Sequence, residues 1–174
     1  MHIDLFFATF VTFVVTSVIE IILAARWNRA YFRSGVLVFR QVCELPSDVQ
    51  KLPEPEVLQA RFTGWVMPAI LFRSLSLDEI GFREKLMGFH LISYTPVMHG
   101  HIEVDPVGRV VNVSGRLNWS MMAFGLSPLA LLGTSFAAMF GLFFLGLVVV
   151  IYLTQAARYR NVSTALSTIW SGGV

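Results

Sequence analysis

The run LFFATFVTFVVTSVIEIILAA, from Leu5 to Ala25, constrains the fold of this chain more than any other feature. The hydrocarbon core of a bilayer is about 30 Å thick and takes roughly 20 apolar residues to cross as a helix, and this run supplies them. The residues ahead of it, MHID, carry Asp4 and no Lys or Arg, whereas a signal peptide needs a basic start. The run therefore reads as an uncleaved anchor. Composition agrees, with 14% charged residues against about 25% in an ordinary soluble domain, and a mean hydropathy of +0.66. Disorder needs low hydrophobicity with high net charge, and neither is present. Cys43 is the single cysteine and excludes an internal disulfide framework. A net charge of +2 gives no reason to expect a nucleic-acid partner.

A second apolar stretch runs from Met121 to Leu153. Ser127-Pro128 divides it, because Ser is a good N-cap and Pro is favoured at the first helical position. The expected second span starts near Pro128 and ends within TQAARYR, with Trp119 to Leu126 as an interfacial lead-in. A tight hairpin in the same stretch would leave legs of about 15 residues, short for a crossing, so one span is expected. Arg26, Arg29, Arg33 and Arg40 follow the first span, and Arg109 and Arg116 precede the second; Arg158 and Arg160 follow it. The basic excess puts the intervening loop in the cytoplasm and both termini on the periplasmic or equivalent side. Trp27, Tyr31 and Trp119 then belong to the cytoplasmic aromatic belt, and Tyr152 and Tyr159 to the opposite one.

The chain thus divides into a transmembrane helix with a cytoplasmic extension (1–33), a cytoplasmic module (34–118), an interfacial segment with a second transmembrane helix (119–160) and a C-terminal tail (161–174). In the module, RWNRAYFR continues the first helix until Ser34-Gly35, and residues 35–45 and 69–77 read as strands by their apolar and β-branched content. Pro55-Glu56 opens a short helix, and GFREKLM reads as a charged edge strand. Asp105-Pro106-Val107-Gly108 carries type I turn preferences between alternating apolar residues, the pattern of a hairpin. The expected fold class is a membrane α+β protein, two transmembrane helices flanking a small, mostly antiparallel β module.

Within the first span Thr9, Thr12, Thr16 and Glu20 fall in a stripe about 80° wide, and polar groups in lipid turn toward protein. An ionisable residue inside a span is a functional candidate by default, although Glu20 is expected to pair with Arg26 or a neighbouring subunit. Gly133, Ala137 and Gly141 recur every fourth residue in the second span, a spacing that admits a close partner helix. Arg26, Arg29, Arg33 and Arg40 form a basic cluster that attracts anionic lipid or simply sets topology. His99, His101 and Glu103 alternate on one strand and share a face. Imidazole and carboxylate suit zinc or iron, but the same alternation arises on a solvated strand face, which is the preferred reading. The motifs of serine hydrolases, P-loops and dinucleotide folds are missing, so no catalytic residue is proposed.

The function these features favour is a non-catalytic accessory subunit of a larger respiratory or photosynthetic membrane complex, with other integral membrane subunits and lipid as partners. It needs no cofactor of its own, though its apolar helices would touch pigment, quinone or lipid of the host complex. The competing reading is a stand-alone, membrane-tethered module that binds anionic lipid or a protein.

Overall fold

The computed structural model describes residues 2–47, 49, 51–63, 68–85, 97–122 and 135–172. Helix α1 (His2–Ala25) ends where the chain turns left-handed at Trp27 (φ 53°). Trp27 N–H donates to Ala24 O (3.1 Å) and Asn28 N–H to Leu23 O (3.0 Å), the paired bonds of a Schellman motif. Glycine is usual at that position. Here a tryptophan holds it, its ring stacked on Phe32 at 5.3 Å. RWNRAYFR is therefore not one continuous helix with α1. A separate short helix, α2 (Arg29–Arg33), starts after the break, and the Asn28 side chain accepts the Tyr31 N–H at 3.1 Å as its cap.

Strands β1 (Val36–Glu44), β2 (Ile70–Ser76), β3 (Glu79–Glu84), β4 (Met98–Asp105) and β5 (Val110–Leu117) follow, with helix α3 (Pro55–Arg61) between β1 and β2. They form one antiparallel sheet in the order β1-β5-β4-β3-β2. The expected hairpin is β4–β5, and Asp105 Oδ1 accepts the Val107 and Gly108 N–H groups at 3.0 and 3.1 Å, which is the physical reason for Asp at that place. β3 departs from expectation. It lies between β2 and β4, not at an edge, and all 6 of its residues are buried. Its charges are matched by groups from distant helices, which a local pattern does not contain.

The sheet has two working faces. On the first, Phe82, Ile102, Val111 and Val113 build the core with Phe39 and Phe72. Gly100 and Gly115 face one another across β4 and β5. A Cβ at Gly100 would stand 2.0 Å from Phe82 Cζ, and one at Gly115 2.2 Å from Phe39 Cε1, so these glycines are the floor on which the two rings lie. The second face carries Glu79, Arg83, His99 and His101 and is covered in part by α2.

Helix α4 starts at 119 and is described to 122. Helix α5 (Ser135–Trp170) has 36 residues and is about 54 Å long. Its second part lies on the first face of the sheet: Ala156, Tyr159, Val162 and Leu166 recur at helical spacing and all enter the core. Two expectations are corrected here. The helix does not end in TQAARYR but continues to Trp170, so 161–170 of the expected tail is helical. Residues 155–170 also pack directly against the module, with Gln155, Ala156, Tyr159, Val162, Leu166 and Trp170 all in contact with it. Tyr159, assigned to a distant aromatic belt, is fully buried in the core, and Tyr31 is buried on the second face.

One helix among the described residues is long and apolar enough to cross a membrane, over Phe7–Ala25 of α1. The expected second span begins in residues outside the described set. Gly133 lies outside it too, as do the side chains of Ala137 and Gly141.

Candidate functional site

Glu20 and His99, two of the polar residues singled out in the sequence, meet where α1 reaches the sheet. Glu20 is 5% exposed, and among the described residues no Lys or Arg forms an ion pair with it. Its carboxylate accepts the Trp119 N–H (2.5 Å), the Ser120 N–H (3.0 Å) and the Ser120 hydroxyl. These are the first donors of α4, which have no partner within their own helix. A carboxylate at a helix N-terminus satisfies them and complements the helix dipole. The expected pairing of Glu20 with Arg26 or another subunit is thereby replaced by an intramolecular cap, reached across 100 residues.

Asn118 occupies the usual capping position but turns its amide inward instead. That amide stands 2.8 Å from His99 Nδ1 and 3.3 Å from the Tyr31 hydroxyl, while His99 Nε2 lies 3.0 Å from Ser34 O. Burial lowers the His99 pKa, so the ring is neutral at pH 7 and has one N–H. Asn118 Oδ1 and Ser34 O are the two acceptors facing the ring, and that N–H serves one of them, while Asn118 Oδ1 also accepts the Tyr31 hydroxyl. Burial also raises the Tyr31 pKa, so its hydroxyl stays protonated. Arg83, on the same face, donates to Ala24 O at 3.3 Å and lies over the Trp27 ring at 4.8 Å, placing a cation at the C-terminal end of α1. Between these groups is a cavity of about 40 Å³. A space of that size holds water, not a metabolite.

A second cluster joins α2 to the sheet. Glu79, 3% exposed, receives both arms of Arg29 (2.6 and 2.8 Å) and a further bond from Arg33. Hydrogen bonding from Arg29 and then Arg33 holds its carboxyl at about 2 although burial pushes the other way. His101 Nε2 stands 3.5 Å from Glu79 Oε2, and burial lowers its pKa against the pull of Glu79. Glu103 is exposed and 3.5 Å from Arg33. The solvated strand face expected for His99, His101 and Glu103 is therefore right for Glu103 alone. Packing under α2 hides both histidines. Among the described residues no group of three His, Cys, Asp or Glu side chains is placed to hold a metal ion.

The basic cluster is likewise split. Arg29 and Arg33 are tied to Glu79, Arg40 on β1 donates to Asn112 Oδ1 at 2.8 and 3.0 Å, and Arg26 stands at the end of α1. Of the polar stripe on α1, Thr9, Thr16 and Glu20 lie on the half-buried inward side, while Thr12 is exposed and bonds back to Ala8 O at 2.8 Å. The outward arc is apolar: Phe7, Phe10, Val11, Val14, Val15, Val18, Ile19 and Ile22 are each 40% exposed or more. Burial raises the pKa of the half-buried Cys43 thiol, whose contact is Ser163 O at 3.9 Å.

The sequence reading missed the set of residues that docks α5. Gln155, fully buried, accepts the Val97 and Met98 N–H groups through Oε1 (3.0 and 3.2 Å) and donates to Glu84 Oε2 (2.9 Å). Arg158 bonds Glu84 Oε1 and Pro68 O, and the Tyr159 hydroxyl accepts from Glu84 N–H and donates to Met98 O, both at 3.1 Å. The signal was present as Ala156, Tyr159, Val162 and Leu166 at three- and four-residue steps, with Gln155 four residues before Tyr159. Comparison with known proteins returns no family model, no curated protein and no solved structure that matches the chain.

Proposed function

We propose that this chain is a non-catalytic accessory subunit of a larger membrane complex, respiratory or photosynthetic, held in the bilayer by α1 and by the first part of α5. On this reading the sheet is a rigid cytoplasmic module fixed to the membrane helices, and the partners are other integral membrane subunits and lipid. No cofactor of its own is part of the proposal; contact with a pigment or quinone of the complex would be made by the apolar helix faces.

One observation supports this reading over the lipid-binding alternative. Glu20, Glu79, Glu84, Arg29, Arg33 and Arg158 are engaged within the chain, while the open faces of α1 and of the first part of α5 are apolar. Glu20 caps α4, Glu79 takes Arg29 and Arg33, and Glu84 takes Gln155 and Arg158. Opposite them, α1 shows its apolar arc, and Leu142, Phe143, Leu145, Leu147, Val149, Val150 and Leu153 are exposed on α5. A face of that kind suits lipid tails or another apolar helix.

The test is extraction from the native membrane in mild detergent, with a photo-crosslinking residue at Val15 or Ile19. The expected outcome is a stoichiometric complex that survives a high-salt wash, with crosslinks from α1 to a constant membrane subunit. A lone monomer that binds anionic vesicles and releases them in salt would replace this reading with the tethered module.

A further inference from the structure

Two bonds to one residue fix where the chain is when it leaves the sheet and when it returns. Asn118 N–H donates to Val97 O at 2.9 Å, and Val97 N–H donates to Gln155 Oε1 at 3.0 Å. Asn118 and Gln155 thus stand at one level, the end of the sheet where β4 begins and β5 ends. Ser135, the first residue of α5, is twenty residues back along an unbroken helix, about 30 Å from Gln155 along its axis. The first part of α5 therefore projects about 30 Å beyond its contact with the sheet, and 30 Å is the thickness of a bilayer's hydrocarbon core.

We infer that the first part of α5 runs into the membrane from the point where Gln155 meets the sheet, so that the module and residues 155–170 lie on one side and the starts of α1 and α5 lie on the other. This rests on the reading that α1 and the first part of α5 are embedded in lipid. Charge supports it independently. All 13 Lys and Arg residues fall between Arg26 and Arg116 or at Arg158 and Arg160, and every one of them is then on the module side. The earlier two-sided count, with Arg158 and Arg160 across the membrane, disappears.

The inference also gives Glu20 a role. A helix that starts at the edge of the hydrocarbon has N–H groups that water reaches poorly, and each one left unmet is costly. Glu20, projecting from α1 at the level of Ser120, meets the Trp119 and Ser120 donors. It is a positioning residue for the start of α4.

Sidedness is read with single cysteines in a Cys43→Ser background: His2→Cys, Val107→Cys at the β4–β5 tip, and Ser171→Cys beyond α5. An impermeant maleimide is applied to sealed vesicles of known orientation. Val107→Cys and Ser171→Cys are expected to label from one side and His2→Cys from the other. Labelling of Ser171→Cys opposite Val107→Cys, or of His2→Cys with Val107→Cys, overturns the inference. Release of the protein by alkaline carbonate overturns the embedded reading itself, and is seen before any labelling. For Glu20, a Ser120→Cys probe, buried in the parent, becomes reactive when Glu20→Ala is added and less so with Glu20→Gln, which keeps one acceptor. An unreactive Ser120→Cys in both backgrounds removes the positioning role.

Discussion

Replacing Gln155 by Met removes the amide that docks α5 while keeping side-chain length and helix propensity nearly unchanged. Two buried amides, Val97 and Met98, lose the acceptor at 3.0 and 3.2 Å, and Glu84 loses a donor at 2.9 Å. A buried donor left unmet costs about 1–3 kcal/mol, and a hydrogen bond to a charged group contributes about 1.5–3 kcal/mol. The three are neighbours and do not add, so a loss of about 3–6 kcal/mol is expected. Folded domains are stable by only about 5–15 kcal/mol, so this is a large fraction. Hydrogen exchange in detergent or nanodiscs reads it directly: the Val97 and Met98 amides should lose protection first, and a protease should gain access to residues 161–170. Gln155→Glu is the companion variant. It keeps an acceptor oxygen but puts a second carboxylate beside Glu84, so it should be worse than wild type at pH 7 and recover partly on acidification, when the pair can share a proton. Unchanged protection at Val97 and Met98 in Gln155→Met would refute the view that this amide holds the helix to the sheet.

Gly100→Ala should destabilise by about 1–3 kcal/mol or more, since its Cβ would meet the buried Phe82 ring at 2.0 Å. The same change in a Phe82→Leu background should cost much less, and equal costs in the two backgrounds would show that the ring is not the obstacle. Glu79 is depressed to about 2 from an ordinary 4.5. Its contribution to stability is therefore complete above pH 4.5 and is lost as pH falls toward 2. Fluorescence of Trp27, stacked on Phe32 of α2, should follow that loss, and Glu79→Gln should flatten it. His99 is lowered from 6.5 by burial, so the unfolded chain takes up its proton first and stability should decline as pH drops below 6.5. His99→Gln should reduce that slope; an identical unfolding profile between pH 7 and 5 would count against a neutral His99.

Elements specified by near neighbours were legible, and those specified by distant ones were not. The hairpin could be read because Asp105 bonds to Val107 and Gly108, within its own turn. The short helix at Pro55 and the strands β1 and β2 follow from equally local preferences. β3 looked like a charged edge because Glu79, Arg83 and Glu84 have partners 46 to 75 residues away, in α2, α1 and α5. His99 and His101 alternate as a wet strand would. What hides them is α2, whose position depends on the left-handed turn at Trp27, and a tryptophan gives no sequence cue for such a turn.

Misreading the end of α5 had the widest consequence. TQAARYR looked like the exit from a span because Arg158 and Arg160 sit there, and positive charge past a span marks its far end. Yet Arg158 bonds Glu84 within the sheet, and Arg160 lies over the Phe39 ring at 5.8 Å. The charges mark where α5 leaves its exposed apolar part and begins to cover the core. A count of basic residues reports which side a loop occupies only after the packing has established which segments are loops. Here the docking of residues 155–170 places both arginines against the module, and on the proposed topology their charge belongs with the module's.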